Sequence, residues 1–191
     1  MQNFWLWFST GLQHITDLNG YDHILFVTLL SISYTFNSWK KLVAMITAFT
    51  LGHSLSLALS VFVDLNINSK LIEFLIAFSI LSTAIYAIWS KENKKTAVVY
   101  FLVACFGLIH GLGFSYLLKA MLGREEAVAG PLLYFNLGLE AGQLIIVLVI
   151  LGMNQIINSL KIPFRIYKTV LVSLIGLISL KMCVERMMEL F

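Results

Sequence analysis

Residues 11–26 read GLQHITDLNGYDHILF and combine acids and histidines with the start of a long apolar run. Within ten positions this stretch holds His14, Asp17, Asp22 and His23, two of the chain's four histidines among them. Polar groups placed against hydrocarbon are costly unless something pairs with them. The stretch therefore predicts a polar site at the mouth of a membrane segment.

The composition predicts a chain whose main solvent is lipid. Hydrophobic residues make up 59% of the 191 residues and charged ones 12%, against about 25% charged in ordinary soluble domains. The net charge of +3 comes from short basic loops and indicates no nucleic-acid partner. Cys105 and Cys183 lie in separate apolar runs, which favours buried small side chains over a disulfide or a CxxC site. We expect one all-α transmembrane domain over residues 1–191, with no removable signal peptide.

The apolar runs predict a bundle of about six membrane-spanning helices. A helix needs about 20 apolar residues to cross a hydrocarbon layer about 30 Å thick. Residues 3–17 are too few to cross, and their Trp5 and Trp7 are typical of the membrane interface, so we expect a short interfacial helix there. The chain shows no convincing internal repeat. The predicted spans are 21–36, 42–63, 71–89, 97–118, 129–153 and 170–187.

The basic residues of the loops predict the orientation of the chain. Loops 37–41, 90–95 and 158–168 hold two, three and three Lys or Arg residues, whereas the alternating loops 64–70 and 119–127 hold one and two. Cytoplasmic loops carry an excess of Lys and Arg. Both termini are therefore expected outside, in a multi-pass protein of the inner (plasma) membrane.

Polar side chains also recur deep inside the later spans. His53 and His110 lie roughly 17 and 20 Å from the inner ends of their spans, at about 1.5 Å per residue. Asn136, Glu140 and Gln143 share one helix face, and Glu140 is also near the predicted midplane. An ionised carboxylate there costs several kcal/mol unless it is protonated or paired. These five residues therefore form a candidate cation site at the midplane.

The polar residues at the outer end of the first predicted span also have interpretations that involve no metal. His14, Asp17, Asp22 and His23 are placed to capture a cation from outside, yet Asp22 could simply cap a helix. His14 and Asp17 could be solvated interfacial residues. A lone intramembrane histidine is often a structural hydrogen-bonding group, so the metal interpretation depends on several histidines converging.

The residue types limit which metal ion the chain could bind. Two glycines also indicate how a neighbouring helix could come close to His110. Imidazole and carboxylate without thiolate suit Ni²⁺, Co²⁺ or Zn²⁺ better than Cu⁺, Mg²⁺ or Ca²⁺. Gly107 and Gly111 flank His110 in the small-xxx-small pattern that lets membrane helices approach closely. A ligand on another helix could therefore reach His110.

Four motifs together resemble the HupE/UreJ family, and most closely its second branch. They are His14…Gly20-x-Asp22-His23-Ile-Leu-Phe26, Ala48-Phe-Thr-x-x-His53-Ser-x-Ser56-Leu57, Phe106-Gly-Leu-x-His110-Gly-x-Gly-Phe114 and Phe135-Asn-x-Gly-x-Glu140-x-Gly-Gln143. The resemblance implies a small multi-span protein associated with hydrogenase and urease maturation and acting as a nickel, or nickel/cobalt, permease. It also implies that His14, Asp22 and His23 are needed for transport.

These observations lead us to expect an inward transporter of a divalent transition metal ion, with Ni²⁺, Co²⁺ or Zn²⁺ as substrate or ligand. The membrane potential supplies about 4.6 kcal/mol per 100 mV for a doubly charged ion. No ATP-binding motif is present. The sequence leaves a homo-oligomer open.

Three other functions remain open at this point. An intramembrane zinc enzyme would use His53, His110 and Glu140 and keep one position for water. A haem protein would use His53 and His110 as axial ligands. A non-transporting accessory or sensor protein would only bind the metal.

The loop charges yield a first test. We expect a reporter fused to the C-terminus to lie outside the cytoplasm and a reporter inserted in loop 37–41 to lie inside, because only the second faces the basic side. Paired alkaline phosphatase and green fluorescent protein fusions measure this. A cytoplasmic C-terminus would overturn the orientation.

Overall fold

A computed structural model of the protein describes residues 2–63, 67–89, 97–122 and 128–190. Within these ranges the chain forms helices joined by short turns and contains no strand. This confirms the all-α prediction.

The helices follow one another with short connections. The predicted loops 64–70, 90–95 and 119–127 lie wholly or partly outside the described residues. A 3-10 turn, Phe36–Ser38, precedes the third helix. The helices are α1 (Gln2–Thr16), α2 (Asp22–Ser31), α3 (Trp39–Phe62), α4 (Ser69–Trp89), α5 (Ala97–Leu122), α6 (Ala129–Ser159) and α7 (Phe164–Met188).

Five helices, α3 to α7, are long and apolar enough to cross a membrane. They correspond to the last five predicted spans, and the chain is a multi-pass membrane protein. The predicted loop 158–168 is wrong in extent, because α6 continues to Ser159 and α7 begins at Phe164. Pro163 is the N-cap of α7, where its missing amide hydrogen costs nothing. The helix therefore starts directly after it.

The predicted first span, 21–36, is helical only over α2. Ten residues make a helix of about 15 Å, half of what a crossing needs. The Asn154 side chain of α6 donates hydrogen bonds to the carbonyls of Ile32 (3.1 Å) and Tyr34 (3.0 Å). A polar side chain from another helix thus hydrogen-bonds the backbone carbonyls that follow α2. The hydropathy of the sequence does not reveal such a partner.

Helices α1 and α2 run one after the other beside α6 and in the same direction. The ring of Phe4 lies 5.1 Å from that of Tyr134, and Ile15 packs against Gly142 further along both helices. Val27 of α2 then shares a hydrophobic cluster with Leu151, nearer the end of α6. Helix α1, predicted as a short interfacial helix, therefore packs along the bundle beside α6.

Glycines bring the backbones of α1 and α6 into contact. A Cβ on Gly11 would collide with the carbonyl oxygen of Phe135, and a Cβ on Gly138 would collide with that of Phe8. At each glycine the backbone of the other helix thus lies in the space that a Cβ would occupy. Without these two glycines, α1 could not lie at this depth against α6.

The same reciprocal contact joins α3 to α5. A Cβ on Gly107 would collide with the carbonyl oxygen of Phe49, and one on Gly52 with that of Ala104. A Cβ on Gly111 would collide with the Ser56 hydroxyl. The close approach predicted from Gly107 and Gly111 is confirmed, and these two helices also run parallel.

Helices α4 and α7 form an antiparallel pair whose ends are tied by polar contacts. Near the C-terminal end of α7, Arg186 Nη1 donates to the carbonyl of Glu73 (2.9 Å). Lys70 Nζ donates to the carbonyl of Glu189 (2.6 Å). Helix α2 packs against α4 and α6, so it lies inside the bundle.

The glycine contacts predict a position-specific loss of stability. We expect Gly138→Ala to lower the free energy of unfolding by about 1–3 kcal/mol, because the methyl group would collide with the α1 backbone. Thermal unfolding in detergent measures the change. Gly152→Ala is the matched control, since no other described part of the chain comes within 4 Å of its added Cβ. Equal melting temperatures for the two variants would contradict this packing.

Candidate metal centre

The four histidines converge on one place, although each belongs to a different helix. His14 lies near the end of α1, His23 in the first turn of α2, His53 in α3 and His110 in α5. The ring centroids are 4.7 Å apart for His14 and His23, and 5.1 Å apart for His23 and His110. The ring of His53 lies 5.9 Å from those of both His14 and His23.

This convergence corrects the prediction of two separate layers. His14 and His23 were expected at the outer surface, with His53 and His110 at the midplane. The reason for the difference is the course of α1, which runs along α6 and delivers His14 next to the other three. One histidine cluster replaces the predicted ladder.

Each histidine of the cluster has a ring nitrogen with no protein partner in the described part of the chain. Ligand atoms of His14, His23 and His53 all lie within 4.8 Å of one another. The Nε2 atoms of all four histidines are buried and have no hydrogen-bond partner among the described residues. Buried polar atoms are normally paired, and an orphan costs about 1–3 kcal/mol. Four such Nε2 atoms together indicate a binding site for a ligand that is coordinated by imidazole nitrogen.

A hydrogen bond of His110 determines which of its two ring nitrogens carries the proton. Its Nδ1 lies 2.8 Å from the carbonyl oxygen of Phe106. A carbonyl only accepts, so Nδ1 carries the proton and Nε2 carries a lone pair. Metal-ligating histidines are commonly oriented in this way. In a tetrahedral site with metal–nitrogen bonds of about 2.0–2.1 Å, the nitrogens are about 3.3 Å apart, so the ligand atoms of His14, His23 and His53, which lie within 4.8 Å of one another, would have to move closer to share an ion.

One phenylalanine pair, Phe114 and Phe135, covers the cluster towards the C-terminal end of α5. The ring of Phe114 lies 4.0 Å from that of His14 and stacks on Phe135 with the centroids 5.0 Å apart. Phe135 is fully buried. The pair closes this side of the cluster with apolar rings.

A second pair, Phe26 and Phe49, covers the opposite side. Their rings are 5.1 Å apart and both side chains are fully buried. Phe49 lies 5.2 Å and Phe26 5.4 Å from the ring of His110. The histidines therefore lie between two pairs of aromatic rings with their Nε2 atoms buried, and such apolar surroundings strengthen electrostatic interactions.

Asp22 pairs with an arginine that the sequence interpretation missed. Its carboxylate lies 3.1 Å from Arg186 Nη2. The N-cap of α2 is Tyr21, and no side chain among the described residues makes a capping hydrogen bond there, but Asp22 does lie in the first turn of α2, where the helix dipole favours an acid. Arg186 lies in the last turn of α7, far from every motif, so only the fold reveals the pair.

Asp17 does not join the cluster. Its side chain is exposed in the turn between α1 and α2, where Oδ1 accepts the amide hydrogen of Asn19 (2.9 Å). This agrees with the solvated alternative for Asp17. His14, in contrast, is only partly exposed, and its Nε2 atom is buried while its ring lies against that of Phe114.

The three predicted polar residues of α6 have other partners. The Thr47 hydroxyl donates to Glu140 Oε1 (2.8 Å) and the Thr50 hydroxyl to Gln143 Oε1 (2.8 Å). Asn136 Nδ2 donates to a backbone carbonyl of its own helix. The Glu140 carboxylate thus lies at the contact of α3 with α6 and outside the group of converging ligand atoms. The structure therefore places His53 and His110 in the histidine cluster, whereas Glu140 has its partner on α3.

The fold and the cluster define a helical, multi-pass membrane protein with an enclosed imidazole centre. A family model described as HupE/UreJ protein matches residues 1–188. The chain therefore belongs to the HupE/UreJ family, as the motifs predicted. No curated protein and no solved structure matches the chain.

The cluster predicts metal binding that depends on histidine rather than on Glu140. We expect the purified protein to bind one Co²⁺ with the visible absorption of a nitrogen-ligated ion, and His53→Ala to weaken binding by more than about 100-fold, since a direct ligand is lost. Glu140→Gln is the matched control and is expected to leave the spectrum unchanged. Equal losses in both variants would contradict this composition of the site.

Proposed function

We propose that the protein is a membrane permease for a divalent transition metal ion of the nickel or cobalt type. The observation that carries the proposal is the set of four buried Nε2 atoms without partners, contributed by four different helices. Family membership supports it, because HupE/UreJ proteins are generally associated with nickel and cobalt handling. The ion is the cargo and the cluster is its transient binding site.

The chemistry of the cluster favours this class of ion. Imidazole nitrogen suits Ni²⁺, Co²⁺ and Zn²⁺, whereas Mg²⁺ and Ca²⁺ need oxygen ligands and Cu⁺ prefers sulfur. Neither Cys105 nor Cys183 belongs to the group of converging ligand atoms in the described chain. The association of the family with nickel and cobalt favours those two ions over zinc.

Helices α1 and α2 together supply the sixth crossing in this proposal. Both follow the direction of α6, and His14 and His23 flank the interruption between them. Transporters often build their ion sites where a crossing helix is broken at mid-depth. With α1 and α2 counted as one crossing, the basic loops all fall on one side and both termini lie outside.

Transport then requires the two phenylalanine pairs to open in turn. Phe114 and Phe135 separate the cluster from the outer side, and Phe26 and Phe49 separate it from the cytoplasm. An ion held between them is occluded, and opening one pair at a time prevents a leak. The membrane potential drives the charge inward with about 4.6 kcal/mol per 100 mV for a divalent ion.

The alternative functions have less support. His23 and Phe49 each contact the rings of both His53 and His110, so a porphyrin could not bind both imidazoles without displacing them. A zinc enzyme needs a path by which a substrate reaches the metal, and aromatic rings cover the cluster on two sides. No specific observation favours an enzyme over a permease.

Uptake into proteoliposomes tests the proposal. With a potential that is negative inside, we expect saturable uptake of Ni²⁺ or Co²⁺ by the wild type. His53→Ala and His110→Ala should each lower the rate at least about tenfold, because a direct ligand is worth more than the 10–100-fold typical of outer-shell partners. Gln155→Ala, on an exposed position of α6, is the control for handling and insertion. Unchanged uptake in both histidine variants, or bound zinc without any uptake, would refute the permease.

A further inference from the structure

Arg186 ties three helices together beside the histidine cluster. One nitrogen of its guanidinium contacts Asp22 of α2 (3.1 Å) and another donates to the carbonyl of Glu73 in α4 (2.9 Å). The side chains of Arg186 and Asp22 are 22% and 17% exposed, so the pair is largely withdrawn from water. An ion pair in such a place interacts more strongly than one on the surface.

The pair lies close enough to act on the cluster. Asp22 directly precedes His23, whose ring belongs to the cluster, and Arg186 contacts the Asp22 carboxylate, so both charges lie beside the cluster while the carboxylate itself lies outside the group of converging ligand atoms. A divalent cation near the histidines would be attracted by the carboxylate and repelled by the guanidinium. As long as Arg186 holds Asp22, the two charges largely cancel.

We propose that Arg186 is a positioning residue that competes with the incoming divalent cation for the carboxylate of Asp22. This inference deepens the proposed function and rests on it. In the protein without cargo, Arg186 neutralises Asp22 and keeps α2 attached to α4 and α7. When a cation reaches the cluster, Asp22 turns to it and releases Arg186.

The exchange has a mechanical consequence. Asp22 is in the first turn of α2, and α2 also carries Phe26 of the inner phenylalanine pair. Release from Arg186 breaks the polar contact that links the N-terminal end of α2 to α4 and α7, so loading of the site and movement of the inner pair, Phe26 and Phe49, are linked through one short helix. Arg186 also makes the site selective, because a monovalent cation gains less from displacing a guanidinium than a divalent one.

Titration of the detergent-purified full chain with Ni²⁺ tests the competition. We expect Arg186→Gln to bind Ni²⁺ about three- to tenfold more tightly than the wild type, since the competitor for Asp22 is removed. Lys181→Gln is the matched control, because Lys181 is a cation of the same helix with an exposed Glu185 partner. It should leave the affinity unchanged. A purely structural role for Arg186 would lower the affinity or leave it as in the control, and either result would overturn the proposal.

A thermodynamic cycle separates competition from simple repulsion. Asp22→Asn should weaken binding, and adding Arg186→Gln to it should have little further effect, since no carboxylate remains to be freed. If Arg186→Gln tightened binding equally in both backgrounds, the competition would be refuted.

Arg186→Lys keeps the charge and replaces Arg186→Gln in the test if Arg186→Gln unfolds the protein. We expect Arg186→Lys to bind Ni²⁺ as tightly as the wild type or up to about threefold more tightly. Weaker binding would overturn the proposal. Failure of the wild type to bind Ni²⁺ would refute the metal centre itself, whereas wild-type binding with no Arg186 effect refutes only this inference.

Discussion

The backbone contacts made at glycine determine where the histidines meet. Gly11 and Gly138 seat α1 against α6, and Gly52 and Gly107 seat α3 against α5. In lipid there is no hydrophobic force between helices, so close van der Waals packing of small residues is what holds such pairs together. Because His14 and His110 each follow a contact glycine by three residues, they lie on the neighbouring turn of their own helices. Moving either helix pair outward by the width of a side chain would separate the imidazoles.

The cluster is an unfavourable element of the fold in the absence of its ligand. Unpaired buried nitrogens cost free energy, and five of them occur together in the described part of the chain, the Nε2 atoms of all four histidines and Nδ1 of His53. The stacked phenylalanine rings around them offset part of this cost by burial, and they also exclude the water that would otherwise satisfy the nitrogens. In the permease proposed above, such a site would gain more from a cation than a solvated one, and opening of a phenylalanine pair would release the cation. Binding that is favourable but reversible is what transport requires.

The sequence predicted the long spans well because hydropathy measures what a crossing helix needs. It also predicted the contact at Gly107, since small-residue spacing is visible within one helix. It failed for α1 and α2, because a length criterion treats each helix alone and cannot see that two short helices continue one another. The repeated Phe-x-x-Gly at 8–11, 49–52 and 135–138 was a missed signal, as each glycine of it makes a backbone contact. Arg186 had no signal at all, because a single arginine in a last turn looks like an ordinary helix-end charge.

The contact of Glu140 with α3, in place of the expected cation, has a physical cause. An acid within a span was expected to need a cation, but a carboxylate can also be stabilised by hydroxyl donors, and Thr47 supplies one across the contact of α3 with α6. Thr50 and Gln143 make the matching contact one turn along both helices. Polar pairs of this kind link helices where lipid offers no competing hydrogen bonds. Glu140 and Gln143 thus hold α6 to α3, and through α6 they hold α1, so the residues predicted as ligands support the position of His14 instead.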